Sequence, residues 1–138
     1  MADYAITRPS PVGLEETEAR LREALSNVGF GILTEIDVKA TLKKKLDLDV
    51  EPYKILGACN PKLASKGLAA EPELGVMLPC NVVVYSHHGT VIVSAMKPTS
   101  ALRMITNETV CDLAAEAETL ITQALDTALG TPEQKTAG

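Results

Sequence analysis

Two of the three cysteines stand in related surroundings, Cys59-Asn60-Pro61 and Pro79-Cys80-Asn81, each with a proline nearby that interrupts regular backbone hydrogen bonding. Cys59 ends the run Tyr53-Lys54-Ile55-Leu56-Gly57-Ala58, and Asn60-Pro61 after it has the form of a helix start, a capping side chain followed by proline in the first turn. A thiol at that place meets unpaired backbone N–H groups and the positive end of a helix dipole, which favour a thiolate. This suits capture of a small anionic or thiol-reactive ligand. Cys59 is then the activated thiol, the helix start of Asn60, Pro61 and Lys62 the anion cradle, and Cys80, between Pro79 and Asn81, the partner or resolving thiol.

A soft metal is the alternative. If His87-His88-Gly89 is a three-residue hairpin loop, residues 86 and 90 pair and Cys80 falls across from Met96. Cys59, Cys80 and Met96 then offer two thiols and a thioether, ligands for monovalent copper or, with one more group, zinc. The plainest reading makes Cys59 and Cys80 small core residues of a structural or interaction domain with no ligand. The two lie 80 − 59 = 21 positions apart, unlike the closely spaced pairs of zinc ribbons and thioredoxins. Cys111 reads as a packing residue, His87 and His88 as exposed residues at a hairpin tip, and Asp37 as a helix cap rather than a catalytic partner of Glu35. The sequence contains no phosphate loop, dinucleotide fingerprint, nucleophile elbow or zinc-protease helix, so no motif names a reaction or a cofactor.

Composition bounds the partners. The 138 residues are one domain's worth, read as residues 1–130 with a disordered tail at 131–138. A chain of this length buries roughly two thirds of its unfolded surface, so neither metal nor disulfide is needed for folding. Its aromatics are one Phe and three Tyr, which predicts an aliphatic core and no aromatic platform for stacking bases or sugars. The formal charge of −5 and a lone Lys43-Lys44-Lys45 run exclude a nucleic-acid partner. No stretch is long enough to span a membrane, and Met1 to Pro9 lacks a basic region followed by an apolar one, so the expectation is a cytoplasmic protein with free thiols.

The elements that must position the cysteines follow from periodicity. Tyr4 to Arg8 reads as a short edge strand ending at Pro9. Leu14 to Val28 is an amphipathic helix stopped by Gly29, and Phe30 to Ile36 a strand. Val38, Leu42 and Leu46 form the apolar side of a short helix whose lysines face water. After a loop at Asp47 to Pro52 come the strand Tyr53 to Cys59 and a helix carrying Leu63, Ala64, Gly67 and Leu68 inward and ending before Pro72. Gly75 to Ser86 reads as one long strand with Pro79 at a bulge, and Thr90 to Met96 as its hairpin partner. The last helix runs from Val110 to Ala128, capped by Asn107 or Thr106 and closed by Gly130. The result is an α+β domain, β-α-β(4)-α, with a mostly antiparallel sheet, two long helices on one face and two short helices in the connections. Because Val82-Val83-Val84-Tyr85 and Val91-Ile92-Val93 are apolar at successive positions, both sheet faces need cover, which predicts a homodimer through the face without helices.

Gly29-Phe30-Gly31-Ile32, Glu35-Ile36-Asp37-Val38, Cys59-Asn60-Pro61, Gly75 with Leu78-Pro79-Cys80-Asn81-Val82-Val83-Val84, and Met96 with Pro98 together resemble the family catalogued as domain of unknown function 302, over about residues 4 to 129. The resemblance implies a β-α-β(4)-α fold similar to one half of a TATA-binding protein, in agreement with the element order. It brings no activity. It implies that Cys59, Asn60, Pro61, Pro79 and Cys80 belong to one site. DNA binding does not follow, since the chain lacks the basic, wedge-bearing surface that such binding uses.

Overall fold

The computed structural model describes residues 3–130, and the expectation for 131–138 lies outside them. Three helices begin where a short polar side chain closes the first turn. Asp37 accepts the Ala40 N–H at 2.9 Å, Asn60 the Leu63 N–H at 3.2 Å and Asn107 the Val110 N–H at 3.2 Å, starting α2 (Val38–Leu46), α3 (Pro61–Ala70) and α5 (Glu108–Leu129). The first helix, α1 (Leu14–Asn27), is followed by Gly29 at φ 91°, a conformation that glycine adopts without penalty.

Strands β1 (Ala5–Pro9), β2 (Gly31–Asp37), β3 (Tyr53–Cys59), β4 (Cys80–His87) and β5 (Thr90–Met96) form one antiparallel sheet in the order β1-β5-β4-β3-β2. Pro9 thus lies on an edge strand, where its missing N–H costs no ladder bond. Helices α1 and α5 cover one face. Leu21 and Leu25 of α1, Ile121 and Leu125 of α5, and Leu56, Val82 and Val93 of the sheet are buried there, each stabilising the fold by roughly 1.5–3 kcal/mol. The element order and class are those expected: α+β, β-α-β(4)-α. Among the described residues no helix is long and apolar enough to cross a membrane.

The strands' charged side chains turn toward the helices. Arg8 meets Asp126 of α5 at 3.4 Å, Lys54 meets Glu18 of α1 at 2.9 Å, and Glu35 accepts from Arg22 of α1 at 2.5 Å. Asp37 caps α2. Burial would raise the Glu18 carboxyl, but the hydrogen bonds from Lys54 and Arg22 together outweigh it and hold the group below its usual range.

Several expectations are corrected. The hairpin pairs His87 with Thr90 through a two-residue turn, His88 at φ 50° and Gly89 at φ 84°, the left-handed pair whose twist matches the strands. The His88 N–H is held by the Glu51 carboxylate at 3.2 Å. Val82 therefore pairs with Ala95, and the register runs Cys80 toward Lys97, one residue beyond Met96. The stretch from Gly75 is not strand: Pro72–Met77 forms a 3-10 helix, the Leu78-Pro79 bond is cis, and β4 begins at Cys80. Leu68 lies outward, 39% exposed, while Gly67 packs inward. A further one-turn helix, α4 (Pro98–Ala101), precedes α5. Cys111 is exposed rather than packed, because it falls one position past the buried Val110 on α5.

Candidate functional site

At the end of the sheet where β3 stops and β4 starts, Cys59, Asn60, Pro79 and Cys80 line one cavity of about 60 Å³. By the volume a water requires, it holds roughly four to six water-sized spheres, room for a ligand of a few heavy atoms. Its walls come from Phe30 and Ala58 beside the sheet, Leu63, Ala64 and Gly67 of α3, Leu74 of the 3-10 helix, Pro98 of α4, and Val110, Leu113, Ala114 and Ala117 of α5. The cavity occupies the seam between two apolar clusters. One is the main core, and the other comprises Leu74, Leu102, Val110 and Ala114.

The two cysteines reach this cavity from different strand parities. Cys59 shares its side of the strand with Tyr53, Ile55 and Gly57, and Cys80 its side with the buried Val82 and Val84. They meet because Cys80 pairs with Ala58, the neighbour of Cys59, at the point where β3 gives way to α3. Both are free thiols. Burial first, and the charge of a nearby Cys59 second, push the Cys80 thiol up to about 11. Cys80 is accordingly protonated at neutral pH, a packing group with a weak S–H donor.

Other expected members lie elsewhere. Pro61 and Lys62 are exposed and outside the cavity lining. At that helix start Pro61 has no N–H, Leu63 N–H is taken by the Asn60 side chain, and Ala64 N–H by the Asn60 carbonyl at 2.8 Å, which leaves only Lys62 N–H for an anion. Asn81 and Met96 line a separate hollow on the helix-free sheet face. Met96 alternates with the buried Val93 and Ala95, so the one-residue shift of the hairpin removes it from the set of Cys59 and Cys80. Among the described residues no three His, Cys, Asp or Glu side chains gather as a metal site.

The sequence reading missed the cavity walls. A signal was present in Gly67, a glycine inside a helix, where an added Cβ would stand 2.6 Å from a Leu74 methyl. Gly57 is a second such position: a Cβ there would collide with Thr34 Oγ1 and come within 2.8 Å of Pro79 Cγ. The absent side chain lets Pro79, the neighbour of Cys80, seat against β3.

Tyr53 and Tyr85, paired across β3 and β4, stack with ring centroids 5.1 Å apart, and with Tyr4 all three tyrosines of the chain line the helix-free hollow.

A crystal structure of the uncharacterized conserved protein DUF302 from Bacillus stearothermophilus is similar to this chain at 34% identity, with a TM-score of 0.86 over 92% of this chain and 99% of that one. No curated protein matches the chain. The sequence profile described as Domain of unknown function DUF302 matches residues 6–128, and the chain belongs to that family.

Proposed function

We infer that the protein binds a small, uncharged, thiol-reactive molecule in the seam cavity and engages it through the Cys59 thiol. One observation carries this reading: Cys59 and Cys80 line the same cavity, whose other walls are almost entirely apolar. The lining contains no ammonium, guanidinium or imidazole to offset an anion, and burying an uncompensated charge is expensive. A neutral ligand meets no such penalty. Asn60 supplies a directional contact, since its oxygen caps α3 while its amide Nδ2 has no hydrogen bond to protein among the described residues. Cys80, held protonated, acts as a neutral wall beside the reactive thiol rather than as a second nucleophile. The reading places the protein where thiols stay reduced, as in the cytoplasm.

Two alkylating reagents of nearly equal size test it. Iodoacetamide is neutral and iodoacetate anionic, and the rate of each is read at every cysteine by peptide mass spectrometry, with the exposed Cys111 as internal reference. The expected result is a neutral-to-anionic rate ratio at Cys59 at least about tenfold above that at Cys111, the factor that about 1.4 kcal/mol of charge discrimination produces. Equal ratios would remove the cavity from the chemistry of Cys59, and a reversed ratio would restore the anion cradle.

A further inference from the structure

The helix-free face of the sheet has a composition unlike the rest of the surface. The charged strand residues Arg8, Glu35 and Lys54 turn to the other side, where they are paired with helix residues, and Asp37, in register with Lys54, caps α2. What remains outward across the middle of β1, β5, β4 and β3 is uncharged, Thr7, Ser94, Val83, Ile92, Ile55, Tyr53 and Tyr85, and the ionisable His87 and Glu51 flank the two tyrosines at one rim. Tyr4 is 68% exposed and Ile36 on β2 49% exposed. On a chain of net charge −5, a face whose centre carries no charge is a place where a second copy can approach with little like-charge repulsion.

We propose that the protein is a homodimer in which two copies pack their helix-free sheet faces together around Tyr4, Tyr53 and Tyr85. The stacked Tyr53 and Tyr85 line one hollow together with the small Thr7 and Ser94, which are joined by a 2.9 Å hydroxyl hydrogen bond. An isologous contact sets the same patch of both copies against itself, so the hollow and its tyrosines would meet their own counterparts. Sheet-on-sheet packing at about 10 Å is the ordinary way to cover two such faces. The size is adequate. Five strands at ~4.8 Å spacing and roughly six residues of ~3.3 Å each give a face of about 500 Å², or about 1,000 Å² from two copies before side-chain relief, the extent a specific interface needs. Tyrosine is also the residue type enriched in such interface centres.

Sedimentation equilibrium and light scattering at micromolar concentration test this on the full chain, whose monomer mass is 14.6 kDa. Twice that mass is expected. Val83→Glu, at the middle of the face, should raise the dimer dissociation constant at least about a hundredfold by setting like charges opposite one another. Thr7→Lys on the edge strand does the same with less risk to folding, and circular dichroism verifies that both variants keep the fold. A wild-type protein of monomer mass overturns the proposal, as does a dimer that survives Thr7→Lys unchanged.

Discussion

The two faces of the one sheet are built from adjacent residues and obey different rules. The inner face is enclosed: Leu56, Val82 and Val93 are sealed under α1 and α5, and its few charges are each matched to a helix partner. The outer face is half-buried, uncharged at its centre and tyrosine-bearing. A shift of one residue along a strand carries a side chain from one regime to the other, as Met96 shows. The seam cavity lies where this alternation stops. There the strand ends bring Cys59 and Cys80 together although they belong to opposite parities. A site made this way is positioned by strand pairing and shaped by the small residues of α3 and α5.

The contrast between the faces is broken most strongly from the inside. Leu25→Ala, on a fully buried side chain, should cost about 2–5 kcal/mol in urea unfolding. A loss under about 1 kcal/mol would mean that the inner face is not the tightly packed side. Alkaline pH sharpens the difference between the cysteines. The Cys80 thiol is held at about 11 in the fold against an ordinary value of 9.0, so its contribution is fully present below pH 9 and is lost as pH rises to about 11. The loss is about 3 kcal/mol from two pKa units. Unfolding at a series of pH values should show it in the wild type and not in Cys80→Ala. Gly57→Ala forces a methyl against Thr34 and Pro79 and should destabilise by about 1–3 kcal/mol, with altered Cys80 reactivity because Pro79 must move.

The smallest effect is acidic. Glu18 is depressed in the fold, so its ion-pair contribution is present above about pH 4.5 and lost as pH falls below it. With the group partly hydrated the change is about 1 kcal/mol or less. Glu18→Gln should flatten stability over that window, and an unchanged acid slope would show that Lys54 and Arg22 do not stabilise its charge.

The legible parts of the fold were those fixed by neighbouring residues. Asn60-Pro61, Asp37 and Asn107 announce their helices because a cap is a local hydrogen bond, and the edge position of β1 follows from Pro9 alone. The hairpin register was not legible, because nothing nearby in sequence signals that His88 takes φ 50° with its N–H on the distant Glu51. The apolar run after Gly75 satisfied a strand pattern equally well as a 3-10 helix. For the site, Cys59, Asn60, Pro79 and Cys80 could be named from proline and capping chemistry. The walls could not, since Gly67, Leu74, Ala114 and Ala117 meet only when α3 packs on α5. The tyrosine cluster escaped for the same reason, its members coming from β3, β4 and the turn before β1.

The central claim is that Cys59 is reached through the seam cavity, and filling that cavity tests it most directly. Ala114→Leu places an isobutyl group in the space between α5 and α3. With the fold verified by circular dichroism, iodoacetamide should alkylate Cys59 at least about tenfold more slowly in the variant, the equivalent of about 1.4 kcal/mol, while Cys111 reacts as before. An unchanged rate at Cys59 would contradict the account.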